Sequence, residues 1–174
     1  QVSDHPHIVT LVNADPDHAP PYFVTPLLSG SLADRIPSKP GEADIAQVCI
    51  WFRELATALE YIHGRGILHC DLKPANIVVG PAFRIGVTDF GLVKAIDHFE
   101  NQGHRIDGTP AYLAPEHIRA RVRPELAHRI DVYALGILAY ELITGAPPFD
   151  ASQYRFGITG QTKQVPGRLA VDDP

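Results

Sequence analysis

The stretch His69-Cys70-Asp71-Leu72-Lys73-Pro74-Ala75-Asn76-Ile77-Val78-Val79-Gly80 limits this chain more than any other. Proline lacks a backbone N–H, has a fixed φ and steers the residue before it out of the α region. Lys73 and Pro74 must therefore belong to a loop, and Asp71, Lys73 and Asn76 cannot share a helical face. The β-branched run Ile77 to Val79 follows at once, then Gly80-Pro81 as a turn, then a second apolar run from Phe83 to Val87. Together these read as a strand hairpin. Thr88-Asp89-Phe90-Gly91 leaves the second strand and brings another acid close to the first three polar groups.

Ligand type points to the chemistry this set suits. Asp89 and Asn76 offer hard oxygens, which fit Mg²⁺, an ion that takes few protein ligands and shares the rest of its shell with water and substrate phosphates. Lys73 adds a compact positive charge for a phosphoryl oxygen, and Asp71 is left to take a proton from a hydroxyl. The sum is phosphoryl transfer.

On these residues the chain resembles a eukaryotic-type Ser/Thr protein kinase. His69-x-Asp71 and Asn76 have the catalytic-loop spacing, Asp89-Phe90-Gly91 is similar to the metal-binding triplet, and Ala114-Pro115-Glu116 to the close of the activation segment. Asp131 to Gly136 resembles the start of the family's central buried helix and Gly145 to Phe149 its exit. The fold class implied is α+β, a truncated bilobal kinase-like fold: the end of the β-rich small lobe plus most of the mainly helical large lobe. The resemblance divides the chain into small-lobe strands over 1–25, a hinge over 26–31 and the large lobe over 32–174. It implies ATP and Mg²⁺ as cofactors, Asp71, Lys73, Asn76 and Asp89 as catalytic residues, and Asn76 and Asp89 as the metal ligands. Pro26 and Leu28 would hold adenine through backbone C=O and N–H, and Val78 would line the nucleotide site. Thr109 would bridge Asp71 and Lys73, Pro110 to Tyr112 would meet the substrate, and Glu116 would meet an Arg further along. Asp131 would accept bonds from the catalytic-loop backbone, and His69 would pack with Phe90. Lys73 after the catalytic Asp implies Ser/Thr rather than Tyr specificity. The alternative is a nucleotide-binding pseudokinase or interaction scaffold.

Periodicity supplies the frame. Ile8 to Val12 and Tyr22 to Thr25 read as strands of a short hairpin across the loop Asn13 to Pro21. Ile45, Val48, Cys49, Phe52, Leu55, Ala56, Leu59 and Ile62 mark a long amphipathic helix opening near Glu42 or Asp44. Ile130 to Thr144 is apolar nearly all round, which predicts a buried helix.

Composition closes off other classes. The 174 residues, 45% hydrophobic, can bury a core, and a net charge of −5 with mixed signs makes nucleic acid a poor partner. The partner expected is a protein with a Ser or Thr acceptor. Two cysteines exclude a disulfide scaffold and fit a reducing, cytoplasmic setting, or the cytoplasmic face of a membrane if the full protein is anchored. No apolar run reaches the roughly 18 residues of a membrane span. The nine histidines lack metal-ligand spacing, so structural or solvated roles are expected. The absence of Met and of any G-x-G-x-x-G is the pattern expected of a fragment lacking most of the ATP lid, inactive alone.

Two departures from the family pattern go together. Cys70 stands where an Arg usually precedes the catalytic Asp, and that Arg normally meets a phosphate on the activation loop. The loop from Leu92 to Asp107 contains no Ser, Thr or Tyr. A receptor without its Arg accompanies a loop without its phosphate, which predicts activation by other means. Beside the Asp71 carboxylate, the Cys70 thiol is expected to be poorly reactive.

Overall fold

The computed structural model describes residues 4–90, 94–95, 108–119 and 122–149. Strands β1 (Asn13–Asp15) and β2 (Tyr22–Val24) form an antiparallel hairpin. A long helix, α1 (Ile45–His63), leads to β3 (Ile67–Leu68), which pairs with β6 (Lys94–Ala95). Between them lies the antiparallel hairpin of β4 (Ile77–Val79) and β5 (Ile85–Val87), in the register Ile77↔Val87 and Val79↔Ile85. A one-turn helix, α2 (Pro115–Ile118), precedes the long helix α3 (Arg129–Thr144). Small strands followed by a helical region are the α+β arrangement expected.

Helix α1 forms because Asp44 caps it, its carboxylate accepting from the Gln47 N–H at 3.0 Å, and because an apolar stripe recurs along it. Glu42 serves elsewhere, accepting from the Lys39 N–H at 3.1 Å. The stripe buries Val48, Trp51, Leu55, Leu59 and Ile62 against β4, β5 and Leu138 and Leu142 of α3. Ile45, Cys49 and Ala56 face outward instead, while Trp51, Glu54 and Ala58 are buried. The face expected from apolar residues alone was turned because Glu54, a polar residue, is drawn inside by Arg84 and the Ile85 N–H.

Three local expectations change. The run Ile8 to Val12 is not one strand: Ile8 pairs in parallel with Val87, and only Val12 joins the β1–β2 hairpin, through its N–H to Val24 at 2.8 Å. Pro74 opens a 3₁₀ turn over Pro74–Asn76 rather than leaving the stretch irregular, since a missing N–H costs nothing at the first helical position. Lys73 before it is extended, at φ −159° and ψ 162°, as a residue preceding proline must be. Phe83 lies in a 3₁₀ turn over Pro81–Phe83, so β5 starts at Ile85.

Helix α3 buries Ile130, Asp131, Ile137, Leu138 and Glu141, while Val132 is half exposed. A second apolar cluster joins Leu68, Cys70, Ala114, Val122, Ala127 and Ile130, and packs residues 68–70 against the start of α3. No helix among the described residues is long and apolar enough to cross a membrane.

Helix α3 ends on Gly145 at φ 89°, in the left-handed region, with its N–H on the Glu141 carbonyl at 2.8 Å. A Cβ there would lie 2.5 Å from the Pro37 carbonyl oxygen. Gly145→Ala is expected to cost about 1–3 kcal/mol through strain and that clash. Thermal denaturation checks it, and an unchanged midpoint would show that the helix end and the 37–39 loop separate freely.

Candidate active site

The loop 69–76 hangs from one carboxylate. Asp131, fully buried in the first turn of α3, accepts from the His69 N–H through Oδ2 and from the Cys70 N–H through Oδ1, both at 2.9 Å. His63, in the last turn of α1, brings its Nε2 to Oδ2 at 2.8 Å. The expected backbone role of Asp131 is therefore present, and His63 is an addition that sequence reasoning left among the structural histidines. Its place in the last turn of α1, just before the catalytic hairpin, was the available signal.

That anchoring holds Cys70 at φ 65°, a costly conformation for a residue with a Cβ. The twist sends the Cys70 side chain into the apolar cluster and turns Asp71 the other way. His69 is fully buried, its ring 5.1 Å from that of Phe90 as expected. Its Nδ1 accepts from the Asp71 N–H at 3.3 Å, so Nε2 carries the proton and donates to the Thr88 carbonyl at 3.0 Å.

Asp71 gathers the site. Its Oδ2 accepts from Lys73 Nζ at 2.7 Å and from Asn76 Nδ2 at 3.1 Å. Its Oδ1 accepts from the Thr109 N–H at 2.9 Å and the Thr109 hydroxyl at 2.8 Å, and that hydroxyl accepts from Lys73 Nζ at 3.1 Å. Thr109 therefore bridges Asp71 and Lys73, as expected. Gly108 at φ 119° permits this approach, for a Cβ there would meet the Cys70 carbonyl oxygen at 2.9 Å. Burial pushes the Asp71 carboxyl up, but the Lys73 and Thr109 bonds together with the Lys73 charge outweigh it and hold the group below its usual range.

The second acid is placed by β5. The Thr88 N–H bonds to the Asn76 carbonyl at 3.0 Å, so the residue before β4 and the residue after β5 are neighbours. Asp89 follows at φ 60°, exposed. The Asn76 Nδ2 is committed as a donor to the Asp71 carbonyl at 2.9 Å as well as to its carboxylate, which leaves Oδ1 as the accepting atom. One amide oxygen and one open carboxylate are a donor set that suits a hard divalent cation.

The remaining expected residues divide. Residues 29–31 are tied to β4, with Ser31 bridged to Val78, the Val79 N–H on the Gly30 carbonyl at 2.9 Å and the Ser29 hydroxyl on the Val79 carbonyl at 3.0 Å. Pro26 is exposed, Leu28 half-buried and Val78 half-buried. Tyr112 is half-buried: its hydroxyl donates to Glu141 of α3, and burial and the Glu141 carboxylate push its pKa far up. Pro110 is exposed, and Glu116 sits half-buried in α2. Gly91 and most of the loop 92–107 lie outside the described residues.

Two outcomes follow from this geometry. Asp131→Ala leaves the buried His69 and Cys70 N–H groups without an acceptor and is expected to cost about 3–5 kcal/mol by chemical denaturation, since one side of a buried charged contact is lost. A cost below about 1 kcal/mol would mean that the loop is held by packing alone. Because the folded chain binds the Asp71 proton less tightly than the unfolded chain does, this group's stabilisation is complete above its ordinary 3.8 and is lost as pH falls through its lower folded value. Acid titration of the Asp71→Asn variant against the parent checks this, the difference between them shrinking only below that pH.

Known proteins resemble the chain over most of its length. The family profile described as protein kinase domain matches residues 1–168. Mitogen-activated protein kinase kinase kinase 17 of Arabidopsis thaliana is 33% identical over 153 residues, 82% of this chain and 40% of that protein. An Aurora kinase of Eremothecium gossypii is 36% identical over 84% of this chain and 39% of its own length. The 3-phosphoinositide-dependent protein kinase 1 of Rattus norvegicus is 35% identical over 85% of this chain and 26% of its own. The chain thus spans two fifths or less of each of these relatives. With an Asp, Lys, Asn and second Asp held as described and a profile match across nearly its whole length, this chain belongs to the protein kinase domain family.

Proposed function

We propose that the protein carrying this chain is a serine/threonine protein kinase, moving the γ-phosphoryl of Mg-ATP to a Ser or Thr hydroxyl of a protein substrate. The observation that carries this reading is the closed set of bonds among Asp71, Lys73 and Thr109. It holds a buried, ionised carboxylate beside an ammonium group, which is what a proton acceptor next to a transferring phosphoryl group needs. Asp71 takes the proton of the acceptor hydroxyl while that oxygen bonds to phosphorus and the bond to the ADP oxygen breaks. Lys73 offsets the charge on the phosphoryl oxygens. Magnesium, when bound, neutralises phosphate charge, and Asn76 and Asp89 are the residues that would hold it. Pro26 and Leu28 would present backbone groups to adenine, with Val78 below, within a division into small-lobe strands over 1–25, hinge over 26–31 and large lobe beyond. A cytoplasmic place, or the cytoplasmic face of a membrane, goes with the use of ATP and with two cysteines that form no disulfide.

Regulation is part of the proposal. Cys70 packs among apolar side chains, with Leu68, Ala114 and Ile130. Activation without phosphate on the 92–107 loop fits both that burial and the lack of hydroxyls there.

Phosphoryl transfer to a basic protein by the full protein, beside its Asp71→Asn variant, tests the central reading. A loss of about 10²- to 10⁴-fold in kcat is expected. Bound ATP with no transfer by either protein would make the cluster a nucleotide-binding scaffold. Thr109 gives a second test, since a negative group on its hydroxyl would face the Asp71 carboxylate at hydrogen-bond distance. Thr109→Glu is expected to abolish transfer, and a phosphate at Thr109 that raised activity would overturn the regulatory reading.

A further inference from the structure

A second polar cluster lies behind β5, away from Asp71. Glu54 of α1 is 7% exposed and His7 is 6% exposed, and buried polar groups must find partners. One Glu54 oxygen pairs with Arg84 Nε at 2.5 Å and the other accepts from the Ile85 N–H at 3.1 Å. Arg84 Nη2 reaches His7 Nε2 at 3.0 Å, and His7 Nδ1 reaches the Ile85 carbonyl at 3.1 Å and lies 3.6 Å from Glu54. A guanidinium only donates, so Nε2 is the acceptor and Nδ1–H the donor. Every polar atom of the His7 ring thus has a use, and three segments meet: residues 5–9, α1 and the start of β5.

Backbone bonds continue the contact toward the site. The Val87 N–H bonds to the His7 carbonyl at 2.8 Å and the Val9 N–H to the Val87 carbonyl at 2.9 Å, which lays residues 7–9 parallel to β5. Gly86 lets Val9 come close, for a Cβ there would sit 3.1 Å from a Val9 methyl. On the other side the His5 ring is 5.0 Å from that of Tyr61, over which Arg65 is stacked at 3.5 Å.

The consequence concerns Asp89. Strand β5 is three residues long and pairs with an equally short β4, and a hairpin of that size is marginal without support. Its other edge is met by residues 7–9. Whatever holds 7–9 against β5 therefore decides where β5 ends, and Asp89 follows it by two residues.

We propose that His7, Glu54 and Arg84 form a positioning latch, clamping residues 7–9 to β5 and so setting the Asp89 carboxylate against Asn76. These residues do not touch the reacting groups and act through β5. The proposal rests on the reading of Asp89 and Asn76 as the magnesium-holding pair.

Two variants of the full protein test it: Arg84→Met, whose side chain is 58% exposed and tolerant of change, and His7→Phe, which keeps the ring volume. Native-state hydrogen exchange is expected to quicken by about tenfold or more at the Val9 and Val87 amides, with Ile137 and Leu138 in α3 unchanged. The Mg²⁺ concentration for half-maximal transfer is expected to rise severalfold, with kcat at saturating Mg²⁺ less affected. Arg84→Lys, which keeps a donor and a charge, should restore part of both. Exchange that quickens equally in α3 would show general destabilisation and overturn the latch. Local loosening with an unmoved Mg²⁺ midpoint would overturn its link to Asp89. If the parent itself transfers no phosphoryl, the functional reading fails, while local exchange at Val9 and Val87 still decides whether the latch exists.

Discussion

The Asp131 carboxylate is the contact on which the 69–76 loop depends. A fully buried anion is costly unless it is matched, and here two backbone N–H groups and His63 match it within 2.9 Å. Its position in the first turn of α3 adds the favourable end of the helix dipole. In return, the loop is held in a shape it would not adopt alone, with Cys70 left-handed, and a long helix packed on α1 becomes the reference for every group in the site. His63 extends the arrangement to α1, so one carboxylate joins the two main helices and the loop between them.

From that anchor the two acids acquire different characters. Asp71 is buried, turned by the loop and bonded by Lys73, Asn76 and Thr109, so its orientation is settled before any substrate arrives. Asp89 is exposed at the end of a short strand. A carboxylate already held by three partners is fixed in place, whereas an open carboxylate can take a ligand from solution. Near this site the Tyr112 hydroxyl donates to Glu141, which ties the segment after Thr109 to α3.

Much of this was legible in local sequence, for identifiable reasons. Pro74 restricts its neighbours whatever the context, so the extended Lys73 could be read from the dipeptide. The β-branched run Ile77 to Val79 and the long period of α1 are short-range signals of the same kind. Errors arose where a partner distant in sequence decided the outcome. Ile8 to Val12 has the composition of a strand, yet Val87 claims its first residues and Val24 its last. The buried face of α1 also takes in Glu54, because Arg84, thirty residues on, pairs with its carboxylate, a contact hydrophobicity does not announce.

The sequence by itself determined which polar groups exist, their spacing and the hairpin that presents them, because proline, glycine and β-branched residues act on their own backbone. It also determined that residues 92–107 include no hydroxyl to modify. Only the tertiary structure decided that Thr109 lies on Asp71, that His63 joins Asp131, and that His7 and Arg84 meet over Glu54. Those contacts join residues 38, 68 and 77 positions apart. Their formation depends on how helices and strands pack, and no local propensity encodes a partner at such a distance.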